Sequence, residues 1–95
     1  MTARMVTYRV RDGLADDNAA YVRAVMADLE ATAPPGVTYS VWLLDDGVTF
    51  VHLVEGDPGP VVTSEAFRRF SATLSDRRAV APEQHDLTLV GRYAE

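Results

Sequence analysis

The first part of the chain alternates between apolar and polar positions and then changes to a helical period. Residues 5–11 alternate and include β-branched and aromatic side chains, so they predict a strand that stops at the turn signal Asp12-Gly13. Asp16-Asp17-Asn18 supplies N-cap candidates for a helix over residues 17–33, which ends at Pro34-Pro35-Gly36. The apolar face of this helix is Val22, Val25, Met26, Leu29 and Ala33.

Two further strands follow as a predicted β-hairpin. They are Val37–Leu44 and Val48–Glu55, joined by Asp45-Asp46-Gly47. Residues 56–60 are rich in glycine and proline without the spacing of a phosphate-binding loop, so they are read as a connector. Thr63 or Ser64 then caps a second helix that runs to Arg77. Its apolar face is Ala66, Phe67, Phe70 and Leu74. Residues 81–85 lead into a fourth strand, residues 86–93.

The length of the hairpin loop decides which residues lie opposite each other. A two-residue turn would pair Trp42 with Val51, whereas a three-residue loop would pair Trp42 with Phe50 and Ser40 with His52. We expect the three-residue loop, because it collects most apolar hairpin residues on one face. That face would be Tyr39, Val41, Leu43, Val51 and Leu53, which leaves Ser40, Trp42, Leu44, Val48, Phe50, His52 and Val54 on the other.

The element order is strand, helix, strand, strand, helix, strand over one domain, residues 1–95. It predicts an α+β, ferredoxin-like βαββαβ fold with a four-stranded antiparallel sheet in the order four, one, three, two. Both helices would cover one face and leave an apolar patch on the other, consisting of Trp42, Leu44, Val48, Phe50, Val54 and Val90. We expect the same face of a second chain to cover this patch, which predicts a homodimer with an eight-stranded barrel.

Composition narrows the classes of function. The chain has 95 residues, 47% hydrophobic and 24% charged, which is typical of a globular domain. A net charge of −5 with scattered basic residues argues against binding to nucleic acid or to an anionic membrane surface. The sequence has no cysteine and no lysine, so thiol and Schiff-base chemistry are excluded. We find neither a signal peptide nor a membrane-spanning run, and we expect a cytoplasmic protein.

The element order, the strand-three ending Val-His-Leu-Val-Glu at 51–55 and the Ser-Glu-Ala-Phe-Arg-Arg-Phe at 64–70 resemble the dimeric α/β-barrel superfamily that includes the antibiotic biosynthesis monooxygenases. The resemblance covers nearly the whole chain. It implies a dimeric barrel and a function among cofactor-independent monooxygenases of polycyclic aromatics, heme-degrading enzymes and proteins with no assigned role. The heme-degrading pattern is missing, because strand one has Thr7 in place of asparagine and the second helix has no histidine.

Alternating strand directions bring His52, Ser40 and Arg92 to one end of the predicted sheet. An imidazole, a hydroxyl and a guanidinium beside aromatic rings are typical of a pocket for a planar, partly polar small molecule. Neither histidine has the spacing of a metal site, so we predict no metal ligands. The next layer of the candidate site is Thr7, Trp42, Phe50 and Val90.

Two interpretations of these residues remain open. In the first, His52 removes a phenolic or enolic proton, Arg92 stabilises the oxyanion, and Trp42 and Phe50 pack against the substrate ring. The anion would then reduce dioxygen directly, with no metal or flavin as cofactor. In the second, the same residues fill a dimer interface, with His52 hydrogen-bonded to Ser40, and the protein is a non-catalytic binding or structural homodimer.

Overall fold

The computed structural model describes residues 3–95 and contains four strands and three helices in that range. The predicted domain also includes residues 1 and 2, which lie outside the described residues. In chain order the elements are β1 (Ala3–Val10), α1 (Ala15–Thr32), β2 (Val37–Leu43), β3 (Thr49–Gly56), α2 (Gly59–Val62), α3 (Glu65–Arg77) and β4 (Arg78–Leu87). The strands form one antiparallel sheet in the order β2-β3-β1-β4, which confirms the predicted ferredoxin-like fold.

The last strand lies earlier in the chain than predicted. The sequence pattern placed it at residues 86–93, whereas β4 begins at Arg78, directly after α3, and pairs that residue with Val10. Pro82 made this segment resemble a loop, but β4 is an edge strand, where a missing backbone N–H is tolerated. Residues 88–95 form no helix or strand.

The hairpin register differs from the expected one by one residue. Trp42 lies opposite Val51 and Ser40 lies opposite Leu53, so the expected pairs of Trp42 with Phe50 and of Ser40 with His52 are wrong. The observed register is that of the alternative with a two-residue turn. Successive side chains of a strand point to opposite faces of the sheet. A shift of one residue therefore changes which side chains of β2 and β3 share a face.

The loop that sets this register has four residues. The N–H of Leu44 donates to the carbonyl of Thr49 at 2.9 Å, which leaves residues 45–48 to make the turn. The Asp46 carboxylate accepts hydrogen bonds from the N–H groups of Val48 and Thr49, both at 2.9 Å. Gly47 has a φ of 76°, a conformation that glycine adopts without strain. This carboxylate and this glycine make the longer loop favourable.

The corrected register gives the sheet a covered face and an open face. The covered face carries Tyr8, Val10, Tyr39, Phe50 and His52, which lie under the helices. The core between sheet and helices is formed by Tyr8, Val10, Val22, Val25, Phe50, Val61, Ala66, Phe70 and Leu74. The open face carries Met5, Thr7, Ser40, Trp42, Val51 and Leu53. The predicted apolar patch is therefore wrong at Val48, Phe50 and Val54, which pack in or against the core.

A carboxylate from α1 fixes the start of α3. Asp28 Oδ2 accepts hydrogen bonds from the Ser64 hydroxyl at 3.2 Å and from the N–H of Ala66 at 3.0 Å. Ser64 is the N-cap and its hydroxyl accepts from the N–H of Phe67, which confirms one of the two predicted caps. The two long helices are therefore joined at the end of α3 that borders the cavity described below. No helix within residues 3–95 has the length and hydropathy needed to span a bilayer.

Candidate functional site

A cavity of about 270 Å³ lies between the covered face of the sheet and helices α2 and α3. Its apolar wall is Val6, Val54, Val61, Phe67, Phe70 and Leu74. Three polar rings of the covered face also reach it, those of Tyr8, Tyr39 and His52. The exposed side chains of Arg4, Ser71 and Gln84 line it too, so the cavity opens to solvent on their side. Its volume falls just below the ~300–1,000 Å³ of most ligand sites, which favours a small molecule of up to three fused rings.

The imidazole of His52 is held between two tyrosines. Its Nδ1 lies 2.7 Å from the Tyr39 hydroxyl and its Nε2 lies 2.8 Å from the Tyr8 hydroxyl. The ring of Phe70 packs against it with centroids 5.3 Å apart. Both nitrogens are therefore engaged, and the ring is oriented by contacts on three sides.

The hydrogen bonds continue from Tyr8 into the helices. Asn18 Nδ2 of α1 donates to the Tyr8 hydroxyl at 2.8 Å, and Arg77 Nε of α3 donates to Asn18 Oδ1 at 3.0 Å. We call Tyr39, His52, Tyr8, Asn18 and Arg77 the buried polar chain. It crosses the interior from the end of α3 to the cavity wall, and its residue Asn18 is 0% exposed.

Arg77 carries a guanidinium that is only 5% exposed. Its other nitrogens donate to the Thr73 hydroxyl at 2.7 Å and to the Phe70 carbonyl at 3.3 Å. Its Cζ lies 4.0 Å from the centroid of the Tyr21 ring, a cation–π distance. Within residues 3–95 its partners are neutral groups and no carboxylate pairs with it. The charge is therefore held by oxygen dipoles and an aromatic face.

Burial keeps the titratable rings of the chain neutral. Removal from water lowers the pKa of His52 to about 4, because the imidazolium form loses its hydration. Burial also raises the pKa of Tyr8 to about 12, and it raises the pKa of Tyr39 above its ordinary value. At neutral pH the buried polar chain therefore contains the neutral imidazole of His52 between two protonated tyrosine hydroxyls.

Of the seven residues predicted for the site, only His52 lines the cavity. Phe50 lies in the core, stacked on Tyr8 with ring centroids 5.7 Å apart. Thr7, Ser40 and Trp42 are on the open face, where the indole N–H of Trp42 donates to the Ser40 hydroxyl at 3.1 Å.

Arg92 is in the segment after β4 and forms an ion pair with Glu55. The expectation that His52, Ser40 and Arg92 come together is wrong, because Ser40 and His52 are on opposite faces of the sheet. A hydrogen bond between His52 and Ser40 is wrong for the same reason, since the imidazole bonds to the two tyrosines. The chemical roles assigned to His52 and Arg92 stay predictions.

Sequence reasoning missed Tyr8, Asn18 and Arg77 as parts of the site. Asn18 was interpreted as a cap candidate, but it lies one turn inside α1 and its amide faces the sheet. Arg77 stands at the end of α3, where a basic residue is usual and solvated. One signal was available for Tyr8, since it is on the same strand face as other core residues and its hydroxyl requires a partner when buried.

A four-stranded antiparallel sheet with helices on one face defines the class of protein as an α+β domain with a ferredoxin-like fold. Neither a family model nor a curated protein matches the chain by sequence. Solved structures of this fold do match. One described as an antibiotic biosynthesis monooxygenase has a TM-score of 0.75 and 15% identity, and the match covers 96% of this chain and 100% of that one.

Two further structures have the same fold. A candidate antibiotic biosynthesis monooxygenase from Caulobacter crescentus CB15 has a TM-score of 0.74 and 19% identity, over 95% of this chain and 90% of that one. A conserved protein from Methanosarcina mazei Go1 has a TM-score of 0.70 and 15% identity, over 92% and 91% of the two chains. These likenesses confirm the predicted resemblance at the level of the fold. At such identities they do not carry an activity over to this chain.

Proposed function

We propose that the protein binds a small planar aromatic molecule in the cavity beneath α2 and α3. The observation that carries this proposal is the combination of an apolar wall with a buried polar chain that ends at that wall. Apolar walls with a few well-placed polar groups are typical of small-molecule sites. Phe67 and Phe70 contribute aromatic rings to the cavity lining, and Tyr39 contributes a hydroxyl that is bonded to His52.

A pair of variants on α3 tests the location of binding. Ser71 lines the cavity and is exposed, so Ser71→Trp places an indole in the opening without disturbing the core. Ser75→Trp makes the same change at an exposed position of α3 outside the cavity wall. Calorimetric titration with 1-naphthol should show binding to the wild type and to Ser75→Trp, and an affinity at least tenfold lower for Ser71→Trp. Equal affinities for the two variants would contradict binding in this cavity.

A second candidate is cofactor-independent monooxygenation, and the names of the fold relatives favour it. An activated CH₂ group beside an aromatic ring would react with one dioxygen to give a carbonyl group and one water. The anion of the substrate would supply the electrons, so the reaction balances without a metal or flavin. In this candidate His52 is the predicted base and Arg92 the predicted oxyanion stabiliser.

Oxygen uptake distinguishes the two candidates. Anthrone offers such a CH₂ group. The rate of oxygen uptake with anthrone is measured for the wild type, His52→Gln and Arg92→Ala. A rate above the solution background that falls in His52→Gln supports oxygenation with His52 involved, and an unchanged rate removes His52 from the reaction. A wild-type rate equal to the background would leave a non-catalytic binding protein.

We also propose that the open face pairs with a second copy of the chain to form a homodimer. Trp42 is 59% exposed there, beside the half-buried Val51 and Leu53. An exposed indole within an apolar sheet face is typical of an interface, and a two-fold axis pairs the face with itself. Light scattering should give a dimer mass for the wild type and for the helix-surface control Ala27→Glu, and a monomer mass for Trp42→Glu. A wild-type monomer at micromolar concentration would refute the dimer. A cytoplasmic location stays a prediction from the sequence.

A further inference from the structure

We propose that the buried polar chain has a fixed direction, so that the Tyr39 hydroxyl acts as a hydrogen-bond donor to whatever occupies the cavity. The cavity would then select aromatic ligands that carry an acceptor oxygen, such as a quinone or an aromatic ketone. This inference rests on the proposed binding function and specifies its ligand class. It follows from assigning each hydrogen along the chain in turn, beginning at Arg77.

The guanidinium fixes the orientation of the Asn18 amide. An arginine side chain has five N–H donors and no acceptor, so the atom of Asn18 that faces Arg77 Nε is the carbonyl oxygen. The amide nitrogen of Asn18 therefore faces the Tyr8 hydroxyl, 2.8 Å away. Because this nitrogen only donates, the Tyr8 oxygen must accept.

The hydrogen of the Tyr8 hydroxyl then has one available acceptor. Within residues 3–95 the hydroxyl has two hydrogen-bond partners, the Asn18 amide nitrogen and His52 Nε2 at 2.8 Å. Tyr8 must therefore donate to Nε2, which is the nitrogen without a hydrogen. A neutral imidazole carries its single hydrogen on one nitrogen, so His52 carries it on Nδ1.

This tautomer determines what Tyr39 does. The Nδ1–H of His52 donates to the Tyr39 oxygen at 2.7 Å, and the hydroxyl hydrogen of Tyr39 is left for another acceptor. Tyr39 lines the cavity, so a bound molecule can supply that acceptor. The opposite direction would send both the Asn18 amide and the His52 ring N–H to the Tyr8 oxygen. Tyr8 is only 3% exposed, whereas Tyr39 is half-buried, so the Tyr8 hydrogen would have the poorer access to an acceptor in the cavity, and a buried hydrogen without an acceptor is costly.

The direction also bears on the chemistry of the second candidate function. With Nδ1 protonated, His52 presents no lone pair towards Tyr39, so the proposed direction replaces the predicted base role of His52 with stabilisation of a developing oxyanion through Tyr39. Tyr39 would then be the residue that contacts the ligand oxygen. Tyr8, Asn18, Arg77 and His52 are positioning residues that act through it.

Nitrogen NMR of the two histidines measures the direction without a ligand. His85 is exposed and serves as an internal reference for an imidazole in water. We expect His52 in the wild type to show a protonated Nδ1 and an unprotonated Nε2. The near-isosteric Asn18→Asp replaces the donor to Tyr8 with an acceptor while still bonding Arg77, so it should reverse the pattern to a protonated Nε2. A protonated Nε2 in the wild type would overturn the proposal.

Binding of three bicyclic probes measures the consequence. We expect the wild type to bind 1,4-naphthoquinone roughly five- to tenfold more tightly than naphthalene, as one hydrogen bond predicts. Tyr39→Phe should abolish this difference, whereas the exposed control Tyr93→Phe should keep it. Asn18→Asp should shift the preference towards 1-naphthol, because Tyr39 would then donate inwards and accept from the ligand.

The outcomes separate the two levels of the proposal. Failure of all three probes to bind would overturn the binding function and the ligand selection that rests on it. Binding of all three without a preference for the quinone, or with the same preference in Tyr39→Phe, would overturn the donor role alone. If Asn18→Asp does not fold, the wild-type tautomer and the comparison of Tyr39→Phe with Tyr93→Phe still decide the question.

Discussion

Replacement of Asn18 by alanine tests whether the buried polar chain stabilises the fold as a connected unit. The substitution removes two hydrogen bonds, to Tyr8 and from Arg77, in a region with no access to solvent. It leaves a charged donor and a phenol oxygen each short of one partner. An unsatisfied buried group costs ~1–3 kcal/mol, and a charged one more, so we expect a loss of about 3–4 kcal/mol of unfolding free energy.

Urea unfolding monitored by circular dichroism measures this loss. For a chain of this size the dependence of the unfolding free energy on urea is about 1–1.5 kcal/mol per M, so the midpoint should fall by roughly 2–4 M. Protein concentration must be the same in all samples, because dimerisation would raise the apparent stability. The neighbouring exposed Asp17→Ala is the control, and its change should stay within about 1 kcal/mol. A loss below about 1 kcal/mol for Asn18→Ala would refute the view that the chain is a satisfied, connected network.

Three further predictions concern pH, backbone geometry and the start of α3. Burial lowers the pKa of His52 from near 6.5 in the unfolded chain to about 4 in the folded one, so the unfolding free energy should fall by about 3 kcal/mol as pH decreases from 6.5 to 4. Unfolding curves of His52→Gln at acid pH should lack this pH-dependent loss. Gly56→Ala should lower the unfolding free energy in urea more than Gly13→Ala does. Both glycines have a positive φ, but only at Gly56 would an added Cβ lie 2.1 Å from a backbone oxygen. Equal losses of unfolding free energy would contradict this. Asp28→Ala should lower the unfolding free energy by about 1–2 kcal/mol in thermal unfolding, because it removes two hydrogen bonds at the start of α3. An unchanged unfolding free energy would mean that the Ser64 cap alone holds the start of this helix.

The order of elements was predictable because each depends on a local pattern. The helical spacing in α1 and α3 and the alternation in β1 act over a few residues and survive in the folded chain. The register of the hairpin was not predictable with the same certainty, because the number of loop residues depends on the Asp46 carboxylate bonding to two N–H groups. The position of β4 was missed because Pro82 was read as a loop signal, whereas an edge strand tolerates a proline.

The candidate site was predictable only in part. His52 was identified because the predicted strand placed its imidazole beside aromatic residues, and it does line the cavity. Its partners were assigned incorrectly, because a one-residue change of register moved Ser40 and Trp42 to the open face. Arg77 and Asn18 are 59 positions apart in sequence and meet only when α1 and α3 pack together. No local pattern carries that information.

The cost of the buried polar chain is itself an argument for a role at the cavity. A buried guanidinium without a carboxylate partner loses hydration that dipoles and an aromatic face restore only in part, and apolar residues of similar volume often give equal or greater stability. If the buried polar chain served stability alone, its last hydrogen bond could be made to any buried acceptor. Here it runs from Arg77 through neutral groups, and its last three residues, Tyr8, His52 and Tyr39, line the cavity. The buried polar chain therefore leads to a cavity where a bound molecule could use its polar groups.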